Sequence, residues 1–133
     1  MSAKDYVAVR AIMTTEIEMI DGLATVADAL DRLRAKQISS LIVKRREVGD
    51  EFGLLTVHDI AREVLVPDLA PERVNAYEIM QKPILTVDAD MNIRYAVRLL
   101  TRFSVSRALV LDQREAVGIV TMRDLVLRCA EFQ

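Results

Sequence analysis

The sequence predicts an α/β (α+β) fold: two tandem β-α-β-β-α repeats packed with pseudo-two-fold symmetry. Three observations carry that prediction. One half of the chain matches the other in register, apolar spacing switches between strand and helix periods in the same order in both halves, and turn residues fall at matching points. The 133 residues suit one compact module or two small subdomains, and 52% apolar with 29% charged residues is an ordinary globular composition.

The repeat is read first in Ile12-Met13-Thr14-Thr15-Glu16-Ile17-Glu18-Met19-Ile20-Asp21 against Ile79-Met80-Gln81-Lys82-Pro83-Ile84-Leu85-Thr86-Val87-Asp88, at an offset of 67. The same offset pairs Val26 with Ile93, Ala29 with Ala96, Leu33 with Leu100, Ser39 with Ser106, and Leu41-Ile42-Val43 with Ala108-Leu109-Val110. It then falls to 65, because the first copy has the longer loop, and Gly53-Leu54-Leu55-Thr56-Val57-His58-Asp59 meets Gly118-Ile119-Val120-Thr121-Met122-Arg123-Asp124. Two copies are too few for an open solenoid, so each half is expected to cover the apolar face of the other.

Each copy opens on a short apolar strand, Ile17 to Ile20 and Ile84 to Val87. A helix follows, with Leu23, Val26, Ala27, Leu30 and Leu33 at helical spacing in the first copy and Ile93, Ala96, Val97 and Leu100 in the second. Thr25 with Asp28 resembles a capping box, and Asn92 or Asp90 caps the second helix. Two strands come next, Ser40 to Val43 with Phe52 to Val57, and Ala108 to Leu111 with Ala116 to Met122. Their turns carry Val48-Gly49-Asp50 and Asp112-Gln113-Arg114-Glu115. A closing helix is expected over Asp59 to Leu65 and over Asp124 to Phe132. We divide the chain into residues 1–66, an N-terminal segment with the first repeat; 67–78, a linker with two of the three prolines; and 79–133, the second repeat.

Composition excludes several functions. A net charge of −2 lacks the basic field that nucleic acids require. One cysteine, Cys129, and one histidine, His58, cannot form a Cys/His zinc site. The start, Met1 to Asp5, has no signal-peptide core, and no apolar run approaches the roughly 20 residues of a membrane span. The expected location is cytoplasmic. No nucleophile–base motif, metal constellation or Walker-type loop is present, so no catalytic residue, no metal and no enzyme activity are expected.

The two Gly-x-x-Thr-x-x-Asp segments, 53–59 and 118–124, with the runs Ile-Ser-Ser-Leu-Ile-Val at 38–43 and Val-Ser-Arg-Ala-Leu-Val at 105–110, resemble the CBS domain family. The resemblance covers residues 9 to 130. It implies a Bateman-type pair acting as a regulatory sensor. Two clefts between the repeats would take an adenosine-containing ligand: AMP, ADP, ATP, NAD or S-adenosylmethionine. No cofactor is required. A homodimer and a separate, unidentified protein effector are the implied partners. The alternative is a structural or adaptor dimer with unused clefts. Where a common family form has proline before two valines, Ile42 and Leu109 stand here.

By the same resemblance, each cleft draws on both repeats. One would gather Thr121, Arg123 and Asp124 with Met13, Ile17, Glu18, Ile38, Ser39 and Ser40. The other would gather Thr56, His58 and Asp59 with Met80, Ile84, Leu85, Val105, Ser106 and Arg107. Each threonine stands where a strand meets a helix, where free N–H groups favour an anion. The aspartate three residues on can accept hydrogen bonds from both ribose hydroxyls. Thr-x-x-Asp is equally a helix cap, which stabilises the helix with no ligand. Arg107, Lys82 and His58 favour the second cleft for phosphate, whereas Glu16 and Glu18 would repel phosphate at the first. The Lys44-Arg45-Arg46 run is read as a solvated hairpin end or a docking patch. Leu125-Val126-Leu127 with Ala130 and Phe132 is read as surplus apolar surface for a two-fold dimer.

Overall fold

The computed structural model describes residues 6–131. Packing groups the chain into two compact units. Glu18–Ile84 forms one, and the stretch ending at Ile17 joins the stretch beginning at Leu85 to form the other. The units therefore cut across the order of the repeats in sequence. The segment leading into each repeat packs with the other repeat's sheet.

In the first unit, β1 (Met19–Ile20) and β2 (Ser40–Val43) are parallel and joined by α1 (Val26–Lys36), and β3 (Gly53–Thr56) pairs antiparallel with β2. The helix starts where Thr25 predicts. The Thr25 hydroxyl accepts from Asp28 N at 3.1 Å, and an Asp28 oxygen accepts from Thr25 N at 3.2 Å. Its buried stripe is Val26, Ala29 and Leu33, a helical spacing. It ends at Gln37, whose left-handed backbone (φ 55°) lets its N–H reach the carbonyls of the last turn. Leu41, Ile42 and Val43 are all buried, so β2 is covered on both faces and reads as an unbroken apolar run.

After β3 the chain forms α2 (Val57–Ile60), which continues as a π turn over Ala61–Leu65. The helix expected over Asp59 to Leu65 thus begins two residues early, at Val57, with Thr56 as its cap and Asp59 at the third helical position. The proline-bearing stretch contains a 3₁₀ turn, Pro71–Arg73, and a short helix, α3 (Ala76–Ile79), capped by the Asn75–Glu78 box. Val74 and Ala76 complete a core of Ile20, Val26, Leu33, Leu41, Val43, Leu55, Ile60 and Val64.

The second unit repeats the plan: β4 (Thr86–Asp88), α4 (Ile93–Arg102), β5 (Arg107–Asp112), β6 (Glu115–Thr121) and α5 (Met122–Ala130). β4 is parallel to β5, and β6 is antiparallel to it. Asn92, not Asp90, caps α4, accepting from Arg94 N at 2.9 Å. The N-terminal segment contributes a 3₁₀ turn, Val9–Ala11, with Val9 fully buried beside Val87, Ile93, Leu100, Val110 and Leu125. Arg10 reaches Asp90 at 3.0 Å and Asp112 at 3.2 Å. The β5–β6 turn has positive φ at Gln113 (51°) and Arg114 (69°), the geometry of a two-residue hairpin. Leu125, grouped from the sequence with a surplus apolar surface, is instead core, because it faces inward from α5; Val126 and Leu127 are exposed. The helix expected over Asp124 to Phe132 runs instead from Met122 to Ala130, with Glu131 as its C-cap; Phe132 lies outside the described residues.

Candidate functional site

The two Thr-x-x-Asp corners fold alike and are finished differently. In the first unit Thr56 ends β3, and its hydroxyl oxygen accepts from Asp59 N at 3.1 Å. The Asp59 carboxylate accepts back from Thr56 N at 3.0 Å and from the Thr56 hydroxyl at 2.9 Å. Two further side chains reach it. Arg62 Nη2 donates to Oδ1 at 2.8 Å, and Gln81 Nε2 lies 3.1 and 3.2 Å from the two oxygens. Asp59 is 0% exposed. Burial pushes its carboxyl up, but the hydrogen bonds from Gln81, Thr56 and Arg62 together outweigh burial and hold it below the usual carboxylate range.

In the second unit Thr121 ends β6 and accepts from Asp124 N at 3.1 Å, but the return arm is missing. Among the described residues no hydrogen bond reaches the Asp124 carboxylate. The cation recorded beside it is Arg123, Nη1 at 3.9 Å, and the side chain is 43% exposed. The difference lies in the neighbours. Leu127 stands where the first unit has Arg62, and Thr14 stands where the first unit has Gln81. Thr14 pairs its backbone with Ile119 just as Gln81 pairs with Leu54, at 2.8–2.9 Å.

That pairing explains the motif's glycine. A Cβ on Gly53 would lie 2.7 Å from Met80 Sδ. One on Gly118 would lie 2.8 Å from both Met13 Sδ and the Thr14 carbonyl. At Gly118 the backbone carbonyl leaves room for glycine alone, whereas at Gly53 the close contact is the flexible end of Met80.

A closely approached glycine, a capping threonine and an aspartate one turn on, repeated in two β-α-β-β-α units, agree with a family profile match: the CBS domain, over residues 9–66 and 76–131. The chain belongs to the CBS domain family. CBS pairs are regulatory modules that often bind ligands. Among solved structures, the chain is similar to the hexameric CBS-CP12 protein from bloom-forming cyanobacteria, with a TM-score of 0.83 and 32% identity over 92% of this chain and 68% of that one. It is also similar to the CBS domain of the bacterial CNNM/CorC family Mg2+ transporter, with a TM-score of 0.78 and 27% identity over 92% and 74%. Among curated proteins, an uncharacterized protein of Methanopyrus kandleri is 29% identical over 77% of this chain and 52% of its own length. The CBS domain-containing protein YhcV of Bacillus subtilis is 24% identical over 90% and 84%. The chain spans about half the length of the first three curated relatives it matches.

The remaining residues that the sequence resemblance would bring to a cleft fall as follows. Met80 and Ile84 lie in the unit of Thr56, His58 and Asp59; Met13 and Ile17 lie in the unit of Thr121, Arg123 and Asp124. Glu18, Ile38, Ser39 and Ser40 belong to the first unit, and Leu85, Val105, Ser106 and Arg107 to the second. The Ser39 and Ser106 carbonyls accept the first amide of the following helix, from Val57 at 3.0 Å and Met122 at 2.8 Å. With the third amide held by threonine, fewer N–H groups remain for an anion than the sequence suggested. Glu18 lies 3.6 Å from Arg32 and 3.5 Å from Lys36, so its charge is balanced. Lys82, expected to meet phosphate, is held by Asp50 at 2.8 Å. Arg46 N and Lys82, with a smaller part from Glu51 N, hold the Asp50 carboxyl well below its usual range. Sequence reasoning missed Gln81 and Arg62, and their signal was the mismatch of each with its counterpart. Among the described residues no group of three or more His, Cys, Asp or Glu is placed to hold a metal, and no helix is long and apolar enough to cross a membrane.

Proposed function

We propose that this CBS pair is a regulatory sensor that binds an adenosine-containing ligand at the Thr121–Asp124 corner and passes the binding state to a separate partner. The observation that carries the reading is the Asp124 carboxylate, accessible and without a hydrogen-bond donor among the described residues, three residues after the cap of the nine-residue helix α5. A carboxylate has about four acceptor positions, enough for two ribose hydroxyls. Arg123, whose side chain is 80% exposed, is the adjacent cation for a phosphate. Met13, against Gly118, supplies an apolar wall for a flat base. The reading assigns the site recognition without chemistry, a cytoplasmic setting, and a homodimer to which exposed Val126 and Leu127 contribute apolar surface.

A ligand that binds only the folded state raises the melting temperature. Thermal melts with AMP, ADP, ATP, NAD and S-adenosylmethionine should show a rise with at least one, and Asp124→Ala should remove that rise while leaving the fold intact. A second reading, an adaptor whose corners are both helix caps, draws support from the fully engaged Asp59. No rise with any of the five would favour it.

A further inference from the structure

We propose that Gln81 and Arg62 are a built-in occupant of the Thr56–Asp59 corner, filling the acceptor positions a nucleoside's vicinal hydroxyls would need, so that each chain keeps one open nucleoside corner, at Asp124. The inference rests on the reading of Asp124 as a ribose acceptor and extends it to stoichiometry and to the residues that set it.

The occupancy is complete. Oδ1 receives Arg62 and Gln81, and Oδ2 receives the Thr56 amide, the Thr56 hydroxyl and Gln81. About four lone-pair positions are available, and all are taken. A diol would have to displace a guanidinium, exchanging a hydrogen bond from a cationic donor for one from a neutral donor. Both latch residues are themselves held. Gln81 is fixed by its two backbone bonds to Leu54, each 2.8 Å. Arg62 lies on the π turn and also meets Glu63 at 3.1 Å. At the matching points of the other unit, Leu127 has no donor, and the Thr14 side chain is shorter than glutamine's. The threonine and the aspartate are common to both repeats, so these two positions make the difference.

The test uses the full chain with ATP and AMP as calorimetric probes, together with carbon-13 titration of the Asp59 carboxyl without ligand. Wild type should bind one nucleotide per chain, Asp124→Ala none, and Arg62→Leu/Gln81→Thr two. That variant carries the residues the other unit already accommodates, so it should fold. Two nucleotides per wild-type chain, a single one retained by Asp124→Ala, or no gain in the double variant would overturn the latch. If wild type binds neither probe, the nucleoside reading of Asp124 fails. The ligand-free titration then judges the latch alone: Asp59 should titrate below the usual carboxylate range in wild type and move upward in the double variant. An unmoved Asp59 would overturn it.

Discussion

Gln81 and Thr14 stand at matching points of the two repeats and pair their backbones in the same way, with Leu54 and Ile119, yet Gln81 alone carries its side chain to the motif's aspartate. One amide and one guanidinium engage the Asp59 carboxylate, and among the described residues Asp124 has no counterpart of either. Unequal stability and unequal binding follow from that pair of positions.

Asp59→Ala removes a buried acceptor that holds four groups, and each charge-assisted bond of this kind contributes about 1.5–3 kcal/mol. We expect a loss of about 2–3 kcal/mol for Asp59→Ala in urea denaturation, against less than about 0.5 kcal/mol for the exposed Asp124→Ala.

The same contrast sets an acid dependence. The folded-state pKa of Asp59 is lowered, so its stabilisation is fully present above the unfolded value, about 3.9, and is lost as pH falls through the folded value. The stability gap between wild type and Asp59→Asn should be constant from neutral pH to about 5 and shrink below about 4. Denaturant melts across that range measure it, and a gap that widens in acid would contradict the assignment.

Gly118→Ala places a Cβ against a backbone carbonyl, whereas Gly53→Ala meets chiefly the flexible end of Met80. Overpacking of this kind costs about 1–3 kcal/mol, and Gly118→Ala should be the more costly of the two in equilibrium unfolding.

Val9 lies 76 residues or more from most of its core neighbours and is fully buried among them. Val9→Ala should remove about 1.5–3 kcal/mol. Hydrogen exchange should show the loss chiefly in β5 and β6, with β2 and β3 little changed.

Arg114 holds φ at 69° in the β5–β6 turn, a conformation that costs a residue with a Cβ about 1–2 kcal/mol. Arg114→Gly should therefore raise stability by about 0.5–1 kcal/mol, read as a higher denaturation midpoint.

Much of this was legible in the sequence. The duplication located both sheets; Thr25 and Asn92 marked helix starts, and the apolar runs at 41–43 and 108–110 marked buried strands, because these features are local. The destination of the leading segments was not legible. Nothing near Val9 or Val74 says which sheet it will meet, since that is a long-range packing choice. The state of the aspartates was half legible. Thr-x-x-Asp specifies a cap, but whether the carboxylate stays open depends on Gln81, 22 residues from Asp59, reaching it through backbone pairing with β3. Lys82 was misjudged for a similar reason: Asp50, on the long hairpin loop, folds back to claim its charge.

The central claim is that Asp124, and not Asp59, receives the ribose. Amide chemical-shift mapping during titration with the five adenosine ligands tests it most directly. We expect at least one ligand to move the amides of Met122, Arg123 and Asp124 in a saturable way and to leave those of Val57, His58 and Asp59 in place. Saturable movement at 57–59 with 122–124 unchanged, or no movement at either corner, would contradict it.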